Sequence, residues 1–406
     1  MMNAELSEKG TQLDEEFNKL SRNWRKLYGI TNKYGFELVS DGSKKLRDRL
    51  SSLQPASEFE ELWIEDTLQQ VDIIGALSNH FYGSPRMTIP DLIDTACGPG
   101  TYGLIEKGFT DYDHEAGWKL QEELESKDEL PTNTREAQLI IESYAPKLKE
   151  DVLRFGIESG FLPQGFDLQM DLSLPGTNSR SYWDTNLRRF FLGYDYFKCY
   201  FGTDGISLNP VRAYAVAFHE VLGHAAQQVR SEAMPKSLQL SRDNGCNIPA
   251  RVVFEGVAMA IENLSYEWLR QNAESLKINP KHIVLEEKLS DHYRSIIQPD
   301  ITLGILRERE YFEGLNVREY VSRLEPCPRA VFRFADPVSA ATFSTYPIDR
   351  AIHELCYPAG YRIADNALKK FEHEGDKHKL HKAMTTGVWG WKTFPKAVEY
   401  FLRQAA

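Results

Sequence analysis

The sequence predicts a mainly α-helical, two-lobed protein with one small β-sheet beside its central helix. Three observations carry that expectation. Long segments before residue 165 repeat apolar residues at helical spacing, and one aromatic run near 188–209 has strand character. Helical patterning then resumes at 210 and continues to the end. We therefore expect a helical N-terminal lobe over residues 1–165 and a larger lobe over 166–406 that carries the chemistry. A chain of 406 residues is long enough to bury a sizeable core in either arrangement.

The elements follow in order. LDEEFNKLSRNWRKLYGI (13–30) sets Leu13, Phe17, Leu20, Trp24 and Leu27 on one helical face. FEELWIEDTLQQVDIIGALSNHFYG (59–83) does the same with Leu62, Leu68, Val71, Ile74 and Leu77. The polar KDELPTN (127–133) reads as a loop. TREAQLIIESYAPKLKEDVLRFGIESG (134–160) is a third helical segment, with a break expected at Pro146. Residues 162–183 are rich in Gly and Pro and lead into RRFFLGYDYFKCYFGTDGISLN (188–209), the best strand candidate. Its stretch near 188–201 would offer an edge to an extended peptide. Helices are expected near 210–230, 249–275 and 279–296, and again from 300 onward.

Composition excludes several functions. The formal net charge of −11, from 48 basic and 59 acidic side chains, argues against nucleic-acid binding and against anionic membranes. No run of about 18 apolar residues appears, so no membrane span is expected. The N-terminus is rich in acids and has no apolar leader, and the five scattered cysteines form no CxxC pair. A reducing compartment, by default the cytoplasm, fits best, and a cysteine-based zinc site is not expected.

The chemistry centres on AFHEVLGHAAQQ (217–228). His219-Glu220 begins like the zinc-binding HExxH pattern, but the second histidine, His224, comes five residues after the first instead of four. In an α-helix, positions i and i+4 differ by about 40° around the axis, whereas i and i+5 differ by about 140°, too far for one ion. A π-bulge absorbs the extra residue and realigns the two rings, and Gly223 supplies a flexible backbone inside the insertion. Asn209-Pro210 provides the helix start.

A second segment, NIPARVVFEGVAMAIENLSYEW (247–268), is strongly apolar yet contains Glu255, 31 residues after His224. A buried carboxylate needs a partner. His219, His224 and Glu255 would hold one Zn2+ and leave a position open for water, with Glu220 as the general base. Glu262, two turns after Glu255, either orients a histidine from behind or carries an ordinary surface charge.

HEVLGHAAQQ followed by FEGVAMAIE (254–262) resembles the bacterial domain-of-unknown-function family of gluzincin-type metallopeptidases, with their HExxPGHH-like and EGWALY-like motifs. YPAGYRIADNALKKFEHEGDKHKLHKAMTTGVWGW (357–391) is similar to that family's PGQALAYKIG helix and the FHDALLxxGxxPL segment after it. The resemblance spans roughly residues 180–406. Here the proline is missing, the insertion is shorter, and Val257 stands where the family has tryptophan. The HExxGH spacing also resembles dipeptidyl peptidase III, whose EECRAE-like second motif has no counterpart in this chain.

The resemblance implies a metallopeptidase-like fold and zinc-dependent hydrolysis of a peptide or small amide-containing substrate. It sets Tyr361 in the place of the family's tyrosine before Lys-Ile-Gly, as a hydrogen-bond donor to an oxyanion. His353 and Arg362, close in sequence, are candidates to contact a substrate carboxylate or the transition state. His373, His378 and His381 lie among charged residues and are expected to be solvated. The alternative function is a zinc-site enzyme diverged from peptidases, acting on a small molecule as a cyclase, lyase or amide hydrolase.

DTACGPGTYG (94–103) imitates the glycine-rich loop of methyltransferases. That loop requires a preceding strand and a βαβ unit, and the chain shows neither, so a turn between helices is expected.

Overall fold

The computed structural model describes residues 4–27, 33–82, 87–103, 119, 120, 123, 134–173, 181–193, 198–200, 206–208, 210–240, 248–292, 347–371 and 377–404. The KDELPTN loop, His373 and the helix expected over 300–346 lie outside them.

The N-terminal helices are α1 (Glu8–Leu27), α2 (Lys33–Ser51), α3 (Glu58–Tyr82), α4 (Ile89–Cys97) and α5 (Thr134–Glu158). Thr88 caps α4: its hydroxyl accepts from the Asp91 amide and donates to the Asp91 carboxylate, and Pro90 occupies the first turn. Gly98, at φ 106°, ends the helix. The DTACGPGTYG segment is therefore a helix end and a turn, with a helix and no strand directly before it among the described residues. α5 runs through Pro146 without breaking. Proline costs a helix interior about 3 kcal/mol. Ile141, Leu148 and Val152 on the same helix are buried, each contributing about 1.5–3 kcal/mol, which outweighs that cost.

Strands β1 (Gln169–Ser173), β2 (Tyr182–Asp184) and β3 (Arg189–Gly193) form a mixed sheet in the order β1-β3-β2. β1 runs parallel to β3 with Met170 opposite Phe190, and β2 runs antiparallel with Trp183 opposite Phe190. This corrects the strand expected over 188–201. Its first part is the interior strand, with Phe190 and Leu192 fully buried, so the edges belong to β1 and β2. Aromatic content marks a buried strand but carries no information about strand order. β4 (Lys198–Tyr200) and β5 (Ile206–Leu208) form a separate two-stranded ribbon.

The chain then enters α6 (Pro210–Ala217), a π-helical segment (Phe218–Ala225) and α7 (Ala226–Ser231), which continue one another. After a short 3-10 turn (Lys236–Leu238) come α8 (Ile248–Leu276), α9 (Pro280–His292), α10 (Pro347–Phe371), α11 (Lys377–Met384) and α12 (Phe394–Gln404). α8 is the axis of the molecule, packed on the π segment and α10. Its contact with α10 is so close that a Cβ on Gly256 would lie 2.0 Å from the Gly360 carbonyl carbon, so only glycine fits there.

A single apolar cluster runs from Leu13 and Trp63 through Tyr214 and Val257 to Trp389 and Phe401, on both sides of residue 165. Polar ties reinforce it. The Trp63 indole donates to Ser237 Oγ at 2.9 Å. Asp66 is fully buried on α3 and accepts from the Gly390 amide at 2.7 Å, from Gln70 at 2.6 Å and from the Thr393 hydroxyl. Burial pushes its carboxyl up to about 6 against those hydrogen bonds. His381 is also buried, contrary to the solvated position expected for it. Its ring stacks on Phe161 at 4.2 Å, because α11 turns this face inward while His378 stays exposed. Among the described residues no helix is long and apolar enough to cross a membrane.

Candidate metal centre

The site begins with the π segment. The Ala226 amide bonds to the Val221 carbonyl, five residues back, which is the wide turn that the histidine spacing requires. The rings of His219 and His224 consequently face each other at 4.9 Å, nearly perpendicular. Gly223 lets this turn sit directly on α8, since a Cβ there would lie 2.6 Å from Ala258 Cβ and 2.8 Å from its Cα.

α8 supplies the carboxylates. Glu255 Oε2 lies 3.5 Å from His219 Nε2 and 3.4 Å from His224 Nε2. Neither contact has the geometry of a hydrogen bond. The two separations match the edge of a tetrahedron, about 3.4 Å, between ligands each about 2.1 Å from a zinc ion. Glu255 Oε2 is buried and has no hydrogen-bond partner among the described residues. A buried carboxylate oxygen in that state is costly unless a cation completes it. The donor set, two imidazoles and one carboxylate, is one that zinc accepts.

Glu262, on the same face of α8, takes the other nitrogen of His219: Nδ1 and Oε2 are 3.1 Å apart. An ionised carboxylate can only accept, so Nδ1 carries a hydrogen, and a metal would take the lone pair that Nε2 exposes toward Glu255 once it gives up its own proton. Glu262 also lies 3.4 Å from the Ser290 hydroxyl of α9.

Glu220 completes the cluster. A ligand atom of Glu220 lies within 4.8 Å of those of both histidines, so distance alone also admits it to the metal. Its Oε2, however, accepts from the Trp183 amide of β2 at 2.8 Å, an engagement that Glu255 Oε2 lacks. We therefore read Glu255 as the third ligand and Glu220 as its neighbour. That amide points away from β3, so the edge strand β2 is fastened to the helix that carries His219 and His224. The Trp183 indole donates to Gln228 at 2.6 Å, and Gln228 donates to the Thr185 carbonyl at 2.8 Å.

Electrostatics follow from the crowding. Burial raises the Glu220 carboxyl, opposed by His224 and His219. Burial acts in the same direction on Glu255, but both histidines overcome it and hold this carboxyl well below its usual range. For His219, burial opposes the charged form, yet Glu255, Glu262 and Glu220 push the imidazole up to about 10.

The other expected residues are distributed as follows. Tyr361 is half-buried on α10, and its phenol oxygen accepts from Asn263 Nδ2 at 2.8 Å, one residue after Glu262. Arg362 faces the turn after α4, with Nη2 3.5 Å from the Thr101 hydroxyl; burial lowers its guanidinium below the usual arginine range, opposed by Asp94. His353 lies on α10, and its side chain is outside the described residues. Sequence reasoning missed Trp183, whose role is played by a backbone amide, and Gln227, whose carboxamide lies between His224 and the Phe254 carbonyl. A glutamine inside a helical pattern gives no signal of its own.

No family model matches the chain, and no curated protein matches it. A solved structure described as "a putative lipoprotein of unknown function" from Shewanella oneidensis is 13% identical, with a TM-score of 0.41 over 90% of this chain and 73% of that one. A likeness of that quality carries nothing about function.

Proposed function

We propose that this chain is a zinc-dependent hydrolase of peptide or other amide bonds, with the metal held by His219, His224 and Glu255. The observation that supports it most is the buried Oε2 of Glu255, which has no hydrogen-bond partner among the described residues and faces two histidine nitrogens at co-ligand distances. Zinc in such a site supplies charge that polarises a carbonyl and makes water acidic enough to attack it. Three protein ligands of this kind would leave room at the metal for a water molecule or the substrate.

Glu220 is the proton carrier. The Trp183 amide fixes one carboxylate oxygen. Burial raises the group's affinity for a proton, which suits a base that must take one from water and return it to the leaving amine. Glu262 holds the His219 ring. Tyr361 is the proposed oxyanion donor, and a phenol oxygen that accepts from Asn263 donates more strongly through its own hydrogen.

Glu220→Gln keeps the shape of the side chain and removes its basicity. In a panel of peptides and small amides it should retain zinc while turnover falls about 10²-fold or more. Turnover undiminished by this substitution would overturn the assignment. Turnover of small amides alone, lost in the variant, would restrict the activity to small molecules.

A further inference from the structure

Gln227 is only 1% exposed and lies three residues after His224. Its Nε2 is 3.3 Å from the Phe254 carbonyl oxygen, and its Oε1 is 3.4 Å from His224 Nδ1. A carbonyl accepts and cannot donate, so the amide nitrogen must face Phe254 and the amide oxygen must face the imidazole. An acceptor-only oxygen beside Nδ1 selects the tautomer with its hydrogen on that nitrogen. The lone pair then falls on Nε2, the atom 3.4 Å from Glu255 Oε2. Phe254 immediately precedes Glu255, so this one side chain joins the two helices that supply ligands.

We propose that Gln227 is a positioning residue for the metal, setting the tautomer and direction of His224 while anchoring α8 beside Glu255. The inference rests on the metal-site reading above. It gives each histidine its own acceptor, the charged Glu262 for His219 and the neutral Gln227 for His224. A glutamine that merely filled space would affect folding and leave metal affinity alone.

The test titrates zinc into the full-length metal-free protein against a fluorescent chelator and melts the same samples without metal. Gln227→Met keeps the length of the side chain and removes both polar contacts. Gln227→Glu keeps an acceptor toward His224. The methionine variant should bind zinc about 10–100-fold more weakly, whereas the glutamate variant, which keeps the acceptor toward His224 and loses the donor to Phe254, should lose clearly less. Cobalt bound to the methionine variant should show an altered visible spectrum. If Gln227→Met does not fold, Gln227→Asn, one methylene too short to reach both partners, replaces it. Wild-type affinity in the methionine or asparagine variant would overturn the inference alone, as would an equal loss in the glutamate variant. Failure of the wild type itself to bind zinc would overturn the metal reading and the inference together.

Discussion

At the residue scale, the candidate site is set by which of its polar atoms have partners among the described residues. His219 gives Nδ1 to Glu262, and Glu220 gives Oε2 to the Trp183 amide. Glu255 Oε2 is left facing two imidazole nitrogens. Replacing Glu262 by Leu removes the acceptor that orients His219 without touching a proposed ligand. Chelator competition should show zinc affinity about 10–100-fold lower in that variant, and unchanged affinity would mean that Glu262 is only a surface carboxylate. The identities of His219, His224, Glu220 and Glu255 were legible because histidine spacing and a carboxylate in an apolar run are chemical anomalies. Gln227 and the Trp183 amide were not, since neither departs from what an ordinary helix or strand contains.

At the element scale, the five-residue spacing predicted a π segment, and one spans Phe218–Ala225. This was readable because helix geometry allows few ways to bring two such side chains together. The order of the sheet was not readable, since pairing joins residues such as Trp183 and Phe190 through space and the short edge strand lies behind a Gly- and Pro-rich stretch. The π segment depends on the space at Gly223. Gly223→Ala forces a methyl against Ala258 and should cost about 1–3 kcal/mol in denaturant unfolding, with weakened zinc binding, because His224 is displaced. A variant as stable as wild type would show that α8 can yield.

Asp66 makes a second prediction at this scale. Its ordinary value is 3.8, and its folded value is about 6, so the folded state holds the proton more tightly. This group therefore favours folding below its unfolded value and loses that contribution as pH rises through about 6. The stability of wild type relative to Asp66→Asn should fall by up to about 3 kcal/mol between roughly pH 4 and pH 7. Parallel stability curves for the two proteins would contradict the assignment.

At the scale of the whole molecule, the helices before residue 165 and those after it share one apolar cluster. Ser237, six residues beyond α7, accepts from Trp63 of α3. The helix that carries His219 and His224 is thus braced by the N-terminal helices on one side, by β2 on another and by α8 along its length. Such bracing would set the positions of the proposed ligands before a metal arrives, which geometry-sensitive chemistry requires. The central claim is that this scaffold holds a zinc ion. The most direct test is the metal content of protein purified without added zinc or nickel resin, measured by elemental mass spectrometry for wild type, His219→Ala and Glu255→Ala. One zinc per wild-type chain, lost in both variants while they remain folded, is the predicted result. Full occupancy in either variant, or a folded wild type that takes up no metal when zinc is supplied, would contradict it.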